Sequence, residues 1–518
     1  MTPEINPSKL NITKIFSAAL NGLDSEIVEI EASLGGGDFG QISIVGLPDA
    51  SVAEARERVR SAIVNSGFDF PKRKITINLA PASLKKVGAA YDLPIALAIL
   101  SLKLDFKIDL SSSIFAGELS LSGKVRPISG AVQIALAAYQ KKFTTIFLPT
   151  ENAKEATLIS NLTIFPVETL KEIINHFQNN HKTAQILTAL PANQDNYCQV
   201  SPENNALIPD FADIYGQNQA KRALEIAIAG GHNLLLFGPP GAGKTTLASA
   251  AVGLLPPLAK HELLEVAKIS SLSGPLNRVL SRPFRAPHHS ASVAAMLGRS
   301  NLSPGEITLA HQGILFLDEF PEFARPVIES LREPLESGRI TISRASGNQT
   351  WPANFILIAA TNPCPCGWRG STQKSCLCTS EKVNSYQRKL SGPILDRVDM
   401  HLFIESKGSL PINNQSHEES SAQIRERIVV ARQEQLKRFP KLENPLNGRV
   451  STKLLIRTCP LNQECQQILN TASLNLSLSI RSYFKIIRLA RTIADLEKQK
   501  FISSKNIAEA LRYRQHIS

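Results

Sequence analysis

The sequence predicts an α/β protein in about three parts, with a parallel sheet at its centre. Two observations carry this. The apolar run Asn233-Leu234-Leu235-Leu236-Phe237 leads straight into Gly238-Pro239-Pro240-Gly241-Ala242-Gly243-Lys244-Thr245, the G-x-x-x-x-G-K-[ST] pattern of a phosphate-binding loop. Strand-like and helix-like stretches alternate before residue 180, whereas only helical spacing follows Ser421.

Composition narrows the function classes. The 518 residues are 43% hydrophobic, ordinary for a globular protein, and no stretch offers the run of about 20 apolar residues a membrane span needs. A soluble, cytoplasmic protein is expected, because the first residues lack a basic-then-apolar leader. The net charge is +12, and from Ser421 to Ser518 there are 18 Lys/Arg against 7 Asp/Glu, which is +11. A basic terminal region favours a polyanion, nucleic acid first, although a solvated basic face accounts for it too. Four of the seven cysteines cluster between 364 and 378, which favours metal over disulfides.

Residues 1–180 read as one α/β domain. Ser25 to Leu34 alternates as a strand, Gly35-Gly36-Gly37 and Gly46-Leu47-Pro48-Asp49 are turns, and Ala50 to Asn65 has helical spacing. Lys74 to Leu79 is a strand and Leu93 to Leu102 an apolar helix. Ser113 to Leu119 with Gly123 to Ile128 reads as a hairpin, Ala131 to Tyr139 as a helix and Thr145 to Leu148 as a strand. Three stretches, Gly88-Ala89-Ala90-Tyr91-Asp92-Leu93-Pro94, Gly117 to Val125 and Pro127-Ile128-Ser129-Gly130, resemble the Lon protease-type domain with its ribosomal-S5-like fold. The resemblance implies a catalytic serine in the first stretch and a lysine soon after the third. Here Ala89, Ala90 and Tyr91 stand in the first, and Ala131 and Val132 follow the third, so acyl transfer has no agent. Ser83 with Lys85 or Lys86 remains as a substitute dyad. The domain is expected to be a non-proteolytic platform. Residues 181–207 are polar and turn-rich, a linker.

The nucleotide-binding region spans 208–405. Glycines let backbone N–H groups turn onto phosphate oxygens at the start of a helix expected from Thr246. Residues 238–246 are the expected ATP contacts: Lys244 reaches the β- and γ-phosphates and Thr245 offers its hydroxyl to Mg²⁺. The strand Ile314-Leu315-Phe316-Leu317 ends in Asp318-Glu319, where doubly wound sheets place ligands. Asp318 is expected to hold Mg²⁺ and Glu319 to polarise the attacking water. A third strand, Asn354 to Ala360, ends at Thr361-Asn362-Pro363.

Two insertions interrupt this region. Arg282-Pro283-Phe284-Arg285-Ala286-Pro287-His288-His289-Ser290, followed by Arg299, reads as a loop or hairpin because its prolines oppose a helix. Hydrogen-bonded loop histidines explain His288 and His289 more simply than metal ligation. Residues 336–352 read as a β-hairpin with Gly347 near its turn. Arg282, Arg285, Arg339 and Arg344 are candidates for phosphate contact with DNA, or else surface arginines held in ion pairs. Cys364-Pro365-Cys366 and Cys376-Leu377-Cys378 suit a structural Zn²⁺ knuckle, with free or redox-active thiols as the alternative. After Ser421, Ile424 to Arg438 is a charged amphipathic helix. Apolar residues recur at three- and four-residue spacing from Leu474 to Leu496, and Lys505 to Tyr513 closes the chain.

These motifs, in this order, resemble those of the AAA+ ATPases, and over nearly the whole chain the YifB/ComM family of magnesium-chelatase-like members. Its most specific stretches are Arg282 to Ser290, Asn362 to Gly367 and Ser391-Gly392-Pro393-Ile394-Leu395-Asp396-Arg397-Val398-Asp399. The resemblance implies that Asn362 is the sensor-1 amide, and that Arg397 is an arginine finger reaching a neighbouring subunit's γ-phosphate. Asp396 or Asp399 could instead neutralise Arg397 locally. Arg481 is implied to be the sensor-2 arginine of a helical lid over 421–518, reaching the γ-phosphate across the cleft. The family implies a homohexameric, ATP-driven motor on single-stranded and branched DNA, a branch-migration helicase serving natural transformation. A metal-insertion motor and an unfoldase are the competing classes.

Overall fold

A computed structural model of the chain describes residues 12–35, 41–104, 106, 110–178, 187–190, 208–276, 281–298, 303–344, 347–370, 374–405, 418–476 and 478–514. The chain divides into two compact units, Met1–Gln199 with Lys260–Leu280, and Val200–Ala259 with Ser281–Ser518.

The first unit is a seven-stranded mixed sheet covered by helices. Its strands are β1 (Ile12–Asn21), β2 (Asp24–Gly35), β3 (Ile42–Val45), β4 (Lys74–Ala80), β5 (Ser113–Phe115), β8 (Thr145–Pro149) and β9 (Thr163–Val167), in the order β3-β4-β2-β1-β5-β8-β9. In β4 the alternation works as expected: Ile75, Ile77 and Leu79 are buried, and the residues between them are half-buried. The helix Ala50–Asn65 starts where Asp49 accepts a hydrogen bond from the Val52 N–H at 2.9 Å, a cap worth about 1 kcal/mol. The expected hairpin is smaller than its sequence suggests. Only β6 (Glu118–Leu119) and β7 (Val125–Arg126) pair antiparallel, while β5 joins the main sheet in parallel with β1 and β8. All three residues of β5 are buried, so it carries no alternation to separate it from the hairpin arm.

Two segments change the expected division of the chain. The helix Lys260–Ser271 lies within the nucleotide-binding region in sequence but belongs to the first unit. Gln133 Nε2 donates to the Lys268 carbonyl at 2.7 Å, the Gly130 N–H donates to the Ser271 carbonyl at 2.8 Å, and Lys268 pairs with Asp24 at 2.9 Å. At the end of the first domain, the Leu190 N–H donates to the Ile164 carbonyl, adding a bridge beside β9. Most of the expected linker lies outside the described residues, as do Gly36, Gly37, Arg299 and the side chain of Arg344.

The second unit is built on a five-stranded sheet: β10 (Leu234–Phe237), β11 (Phe284–Arg285), β12 (Ile314–Leu317), β15 (Ile356–Thr361) and β16 (Met400–Phe403), ordered β11-β12-β15-β10-β16. Every pairing is parallel, so the C-terminal ends of all five strands share one edge. The stretch Arg282 to Ser290 is therefore not an independent loop or hairpin. Its Phe284–Arg285 pair extends the sheet against Ile314 and Leu315. The hairpin of β13 (Arg339–Arg344) and β14 (Gly347–Pro352) forms with the expected pairing, and Ile340 and Trp351 are buried. Helices Ser421–Arg438 and Ile480–Leu496 share one hydrophobic core with the sheet, so packing is continuous from the nucleotide-binding region into the C-terminal helices. Among the described residues no helix is long and apolar enough to cross a membrane.

Candidate nucleotide site

The loop between β10 and its following helix supplies the first part of the site. The helix begins at Lys244, two residues earlier than the spacing suggests, so Lys244 and Thr245 occupy its first turn. Gly243 precedes it at φ 84°, a left-handed conformation that a side chain would strain. Lys244 is buried and its Nζ donates to the Gly238 carbonyl at 2.7 Å, the Pro239 carbonyl at 3.0 Å and Asn362 Oδ1 at 3.1 Å. Burial pulls its pKa below the usual lysine value, against the opposing pull of Asp318 and Glu319. Thr245 Oγ1 donates to Asp318 Oδ2 at 2.7 Å, and Asp318 Oδ1 accepts from the Glu319 N–H at 2.9 Å. Lysine, hydroxyl, carboxylate and amide thus come from three neighbouring parallel strands and meet at the edge where a phosphate would lie.

Glu319 is set apart from that cluster by its backbone. Its φ of 50° is left-handed, unusual for a residue with a side chain and a form of strain that concentrates at functional sites. Its carboxylate lies 3.2 Å from His289 Nδ1, on the segment that follows β11. His289 also lies against His288, with ring centroids 4.1 Å apart, and His288 Nδ1 bonds Ser290 Oγ at 2.8 Å.

The two implied phosphate-sensing arginines lie together on one carboxylate. Arg397 forms an ion pair with Glu336 and donates to the Pro393 carbonyl at 2.9 Å. Arg481 pairs with the other oxygen of the same Glu336 at 2.5 Å and with Asp396 at 3.4 Å. Arg397 holds the Glu336 carboxyl below the usual carboxylate range, with Arg481 adding to the effect. Two carboxylates, Glu336 and Asp396, thus hold Arg481 beside Arg397. Among the described ion pairs, neither Asp396 nor Asp399 pairs with Arg397. Asp396 faces Arg481, and Asp399 is buried against Lys485 at 3.1 Å. Glu336 carries no sequence signal, since its partners lie 61 and 145 residues away.

The basic DNA candidates separate. Arg282 is buried, and its guanidinium donates to the carbonyls of Pro256 at 2.6 Å, Gln312 at 2.9 Å and Pro257 at 3.4 Å, so it is a strut inside the fold. Arg285 makes a two-pronged pair with Glu306 at 2.6 and 2.8 Å. Arg339 is exposed at the base of the hairpin.

The cysteines converge. All four sulfurs lie within 4.8 Å of one another, with Cys364–Cys366 at 3.4 Å, Cys364–Cys376 at 3.6 Å and Cys366–Cys376 at 3.5 Å. A tetrahedron with metal–sulfur bonds of about 2.3 Å has edges of about 3.8 Å, so the set is nearly the right size for zinc. The same segment buttresses the phosphate loop: a Cβ at Gly367 would meet Pro240 Cδ at 2.6 Å.

Comparison with known proteins places this arrangement. Three family models match in succession: subunit ChlI of Mg-chelatase over 28–152, magnesium chelatase subunit ChlI over 210–410 and its C-terminal region over 418–514. The YifB protein of Salmonella typhimurium is 43% identical over 512 residues, covering 98% of this chain and 97% of its own. The chain belongs to the YifB/ComM family of magnesium-chelatase-like AAA+ ATPases. Competence protein ComM of Haemophilus influenzae, another member, is 41% identical over 513 residues, 98% of each chain. A Lon protease of Methanosphaera stadtmanae is 29% identical over 182 residues, 33% of this chain and 22% of its own. Membership of this AAA+ family implies ATP and Mg²⁺ as its cofactors.

The Lon-like resemblance brings no assembled dyad. Lys86 is fully buried and donates to the Pro81 carbonyl, while Ser83 is exposed. Burial, opposed by no charge partner, lowers the Lys86 pKa.

Proposed function

We propose that the chain is an ATP-hydrolysing motor that assembles as a homohexameric ring and remodels branched DNA, a branch-migration helicase that aids the integration of incoming single-stranded DNA during natural transformation. The observation that carries the reading is the division of the ATP machinery into two groups. Lys244 is bonded to Asn362 and Thr245 to Asp318, and Glu319 adjoins the second pair. Arg397 and Arg481 are gathered separately on Glu336. A ring unites them, since the arginine pair of one subunit completes the site of the next.

In this reading the loop 238–246 binds the phosphates, and Lys244 leaves the Gly238 and Pro239 carbonyls to meet them. Thr245 and Asp318 would hold Mg²⁺, which neutralises phosphate charge when bound. Glu319 takes the proton of the attacking water, and Asn362 orients that water. Arg397 and Arg481 meet the charge that develops on the transferred group. The four cysteines would hold Zn²⁺, which would brace the segment packed against Pro240. Exposed Arg339 and the hairpin offer DNA contact, and the relation to a competence protein favours DNA as the partner. A metal-insertion motor is the second reading, favoured by the magnesium chelatase models along the chain.

ATPase rate and strand displacement, compared on forked, single-stranded and blunt DNA, separate the two. The motor reading expects turnover to rise with DNA and forked substrates to be unwound. Absence of both sinks it. Glu319→Gln should bind ATP and lose at least about 100-fold in turnover.

A further inference from the structure

Lys485 belongs to none of the expected ATP-site motifs, yet it holds the turn that carries Arg397. That turn, Asp396 to Asp399, runs from the helix Gly392–Leu395 into β16. Each of its first three carbonyls accepts a hydrogen bond from outside the turn. Buried Lys485 donates through Nζ to the Asp396 carbonyl at 2.5 Å and to the Val398 carbonyl at 3.2 Å, and it pairs with Asp399 Oδ1 at 3.1 Å. Asn233 Nδ2 donates to the Arg397 carbonyl at 3.3 Å, and Arg514 to the Val398 carbonyl at 3.0 Å. The second oxygen of Asp399 accepts from the Asn233 N–H at 2.9 Å, just before the strand that leads into the phosphate loop. Lys485 stands one turn after Arg481 on the helix Ile480–Leu496. Residues four apart share a helix face. That helix therefore grips the turn twice, Arg481 through the Asp396 side chain and Lys485 through the backbone.

We propose that Lys485 is a positioning residue for ATP hydrolysis: it fixes the backbone of 396–399 so that Arg397 is presented in one place to the nucleotide of the neighbouring subunit. The inference rests on the reading of Arg397 as a finger acting between subunits. A guanidinium stabilises the charge of a transferred phosphoryl group only within hydrogen-bond reach, and a misplacement of about 1 Å at such a site costs about 100-fold in rate. The side chain of Arg397 does not supply that precision. Its ion pair is with Glu336, which is half-exposed, and meeting a phosphate releases that pair. The place of the finger is then kept by its backbone. Stability does not account for the lysine, since a buried ion pair is worth little more than an apolar pair of the same volume. An apolar side chain, however, has no donor for the Asp396 and Val398 carbonyls. The same grip ties the finger to the helix Ile480–Leu496, so a shift of that helix is a shift of Arg397.

The test uses the full-length protein, steady-state ATP turnover and fluorescent-nucleotide binding. Lys485→Met keeps the length of the side chain and removes its donors. It should lower kcat about 10- to 100-fold and leave nucleotide affinity within about twofold, since Arg397 of the altered subunit serves another subunit's site. Lys485→Arg retains donors and should recover most of the rate. Mixing Lys485→Met with Glu319→Gln subunits should restore part of the activity, because some sites then draw Glu319 from the first and a well-placed Arg397 from the second. A fault confined to the folding of the helix would stay with its own subunit and would not be complemented. If Lys485→Met does not fold, because Asp399 is left buried without its partner, Lys485→Met combined with Asp399→Asn removes both charges and takes its place. An unchanged kcat in the donor-less variant overturns the proposal, as does a Lys485→Arg variant equally slow. Arg397→Ala run alongside tests the underlying reading. If Arg397→Ala is restored by mixing with Glu319→Gln and Lys485→Met is not, only the role of Lys485 falls. If neither is restored, the finger between subunits falls, and the proposal with it.

Discussion

The first unit and the nucleotide-binding unit resemble catalytic folds equally well in outline, but they treat their polar residues in opposite ways. In the first, Lys86 is buried on a single carbonyl, Tyr91 is buried, and Ala131 and Val132 stand fully buried where a catalytic lysine would be. In the second, Lys244 and Thr245 on the helix after β10 bond Asn362 and Asp318, which follow β15 and β12, at one sheet edge. The difference shows that a fold carries chemistry only where its polar groups converge on a space a substrate can enter. In the first unit, Tyr91, Ala131 and Val132 serve packing.

The largest test of this contrast concerns the second unit's arginines. Arg397→Ala should lower ATP turnover by roughly three orders of magnitude without loss of nucleotide binding, and Arg481→Ala should act in the same direction. Mixing Arg397→Ala with Glu319→Gln subunits should restore part of the activity, because some sites then draw an intact Arg397 and an intact Glu319 from different subunits. If mixed subunits remain inactive, Arg397 does not act between neighbours.

A smaller effect is expected behind the loop. Cys364→Ser, or removal of zinc by a chelator, should weaken nucleotide binding by on the order of 1–2 kcal/mol through the contact of Gly367 with Pro240, and metal analysis should show the loss of one zinc per chain. Full nucleotide affinity in a zinc-free protein would separate the cysteines from the loop.

The two units should also answer pH in opposite directions. Burial pushes the Glu155 carboxyl up to about 7, although Asn152, Ser271 and the Leu276 N–H oppose the shift. Its folded pKa lies above its ordinary 4.5, so its stabilising contribution is complete below that value and is lost as pH rises through about 7. Burial pushes His232 down to about 4 against the attraction of Asp399, so its contribution is complete above 6.5 and is lost as pH falls through about 4. Hydrogen exchange followed across this range should show the helix Thr150–Ala156 loosening as pH rises and the start of β10 loosening as pH falls. Glu155→Gln should flatten the first trend alone. The smallest effect is expected of Ser83→Ala, which should change stability by less than about 0.5 kcal/mol and turnover not at all. A measurable loss of turnover would reopen the first unit as a catalytic one.

Much of this was legible in the chain. The helix Ala50–Asn65, the alternating strand β4, the hairpin 339–352 and the apolar strands beside the phosphate loop all announce themselves through periodicity or a glycine at a turn. Strands β1 and β16 gave no such signal: β1 buries Ile15, Ser17, Ala18 and Ala19 without alternation, and β16 is only four residues long. The Phe284–Arg285 strand was hidden between prolines, and the helix Lys260–Ser271 looks no different in sequence from one that packs where it is encoded.

The sequence by itself determined the nucleotide loop, its acidic partner strand, the cysteine cluster and the missing protease dyad, because each depends on residues close together or on a residue type that is absent. Only the tertiary structure decided which distant charges meet. Glu336 between Arg397 and Arg481, Glu319 against His289, and Arg282 buried on three carbonyls are all pairings across a folded sheet. Such pairings leave no trace in local spacing, since an ion pair needs only opposite charge and proximity, and proximity is set by how strands are ordered.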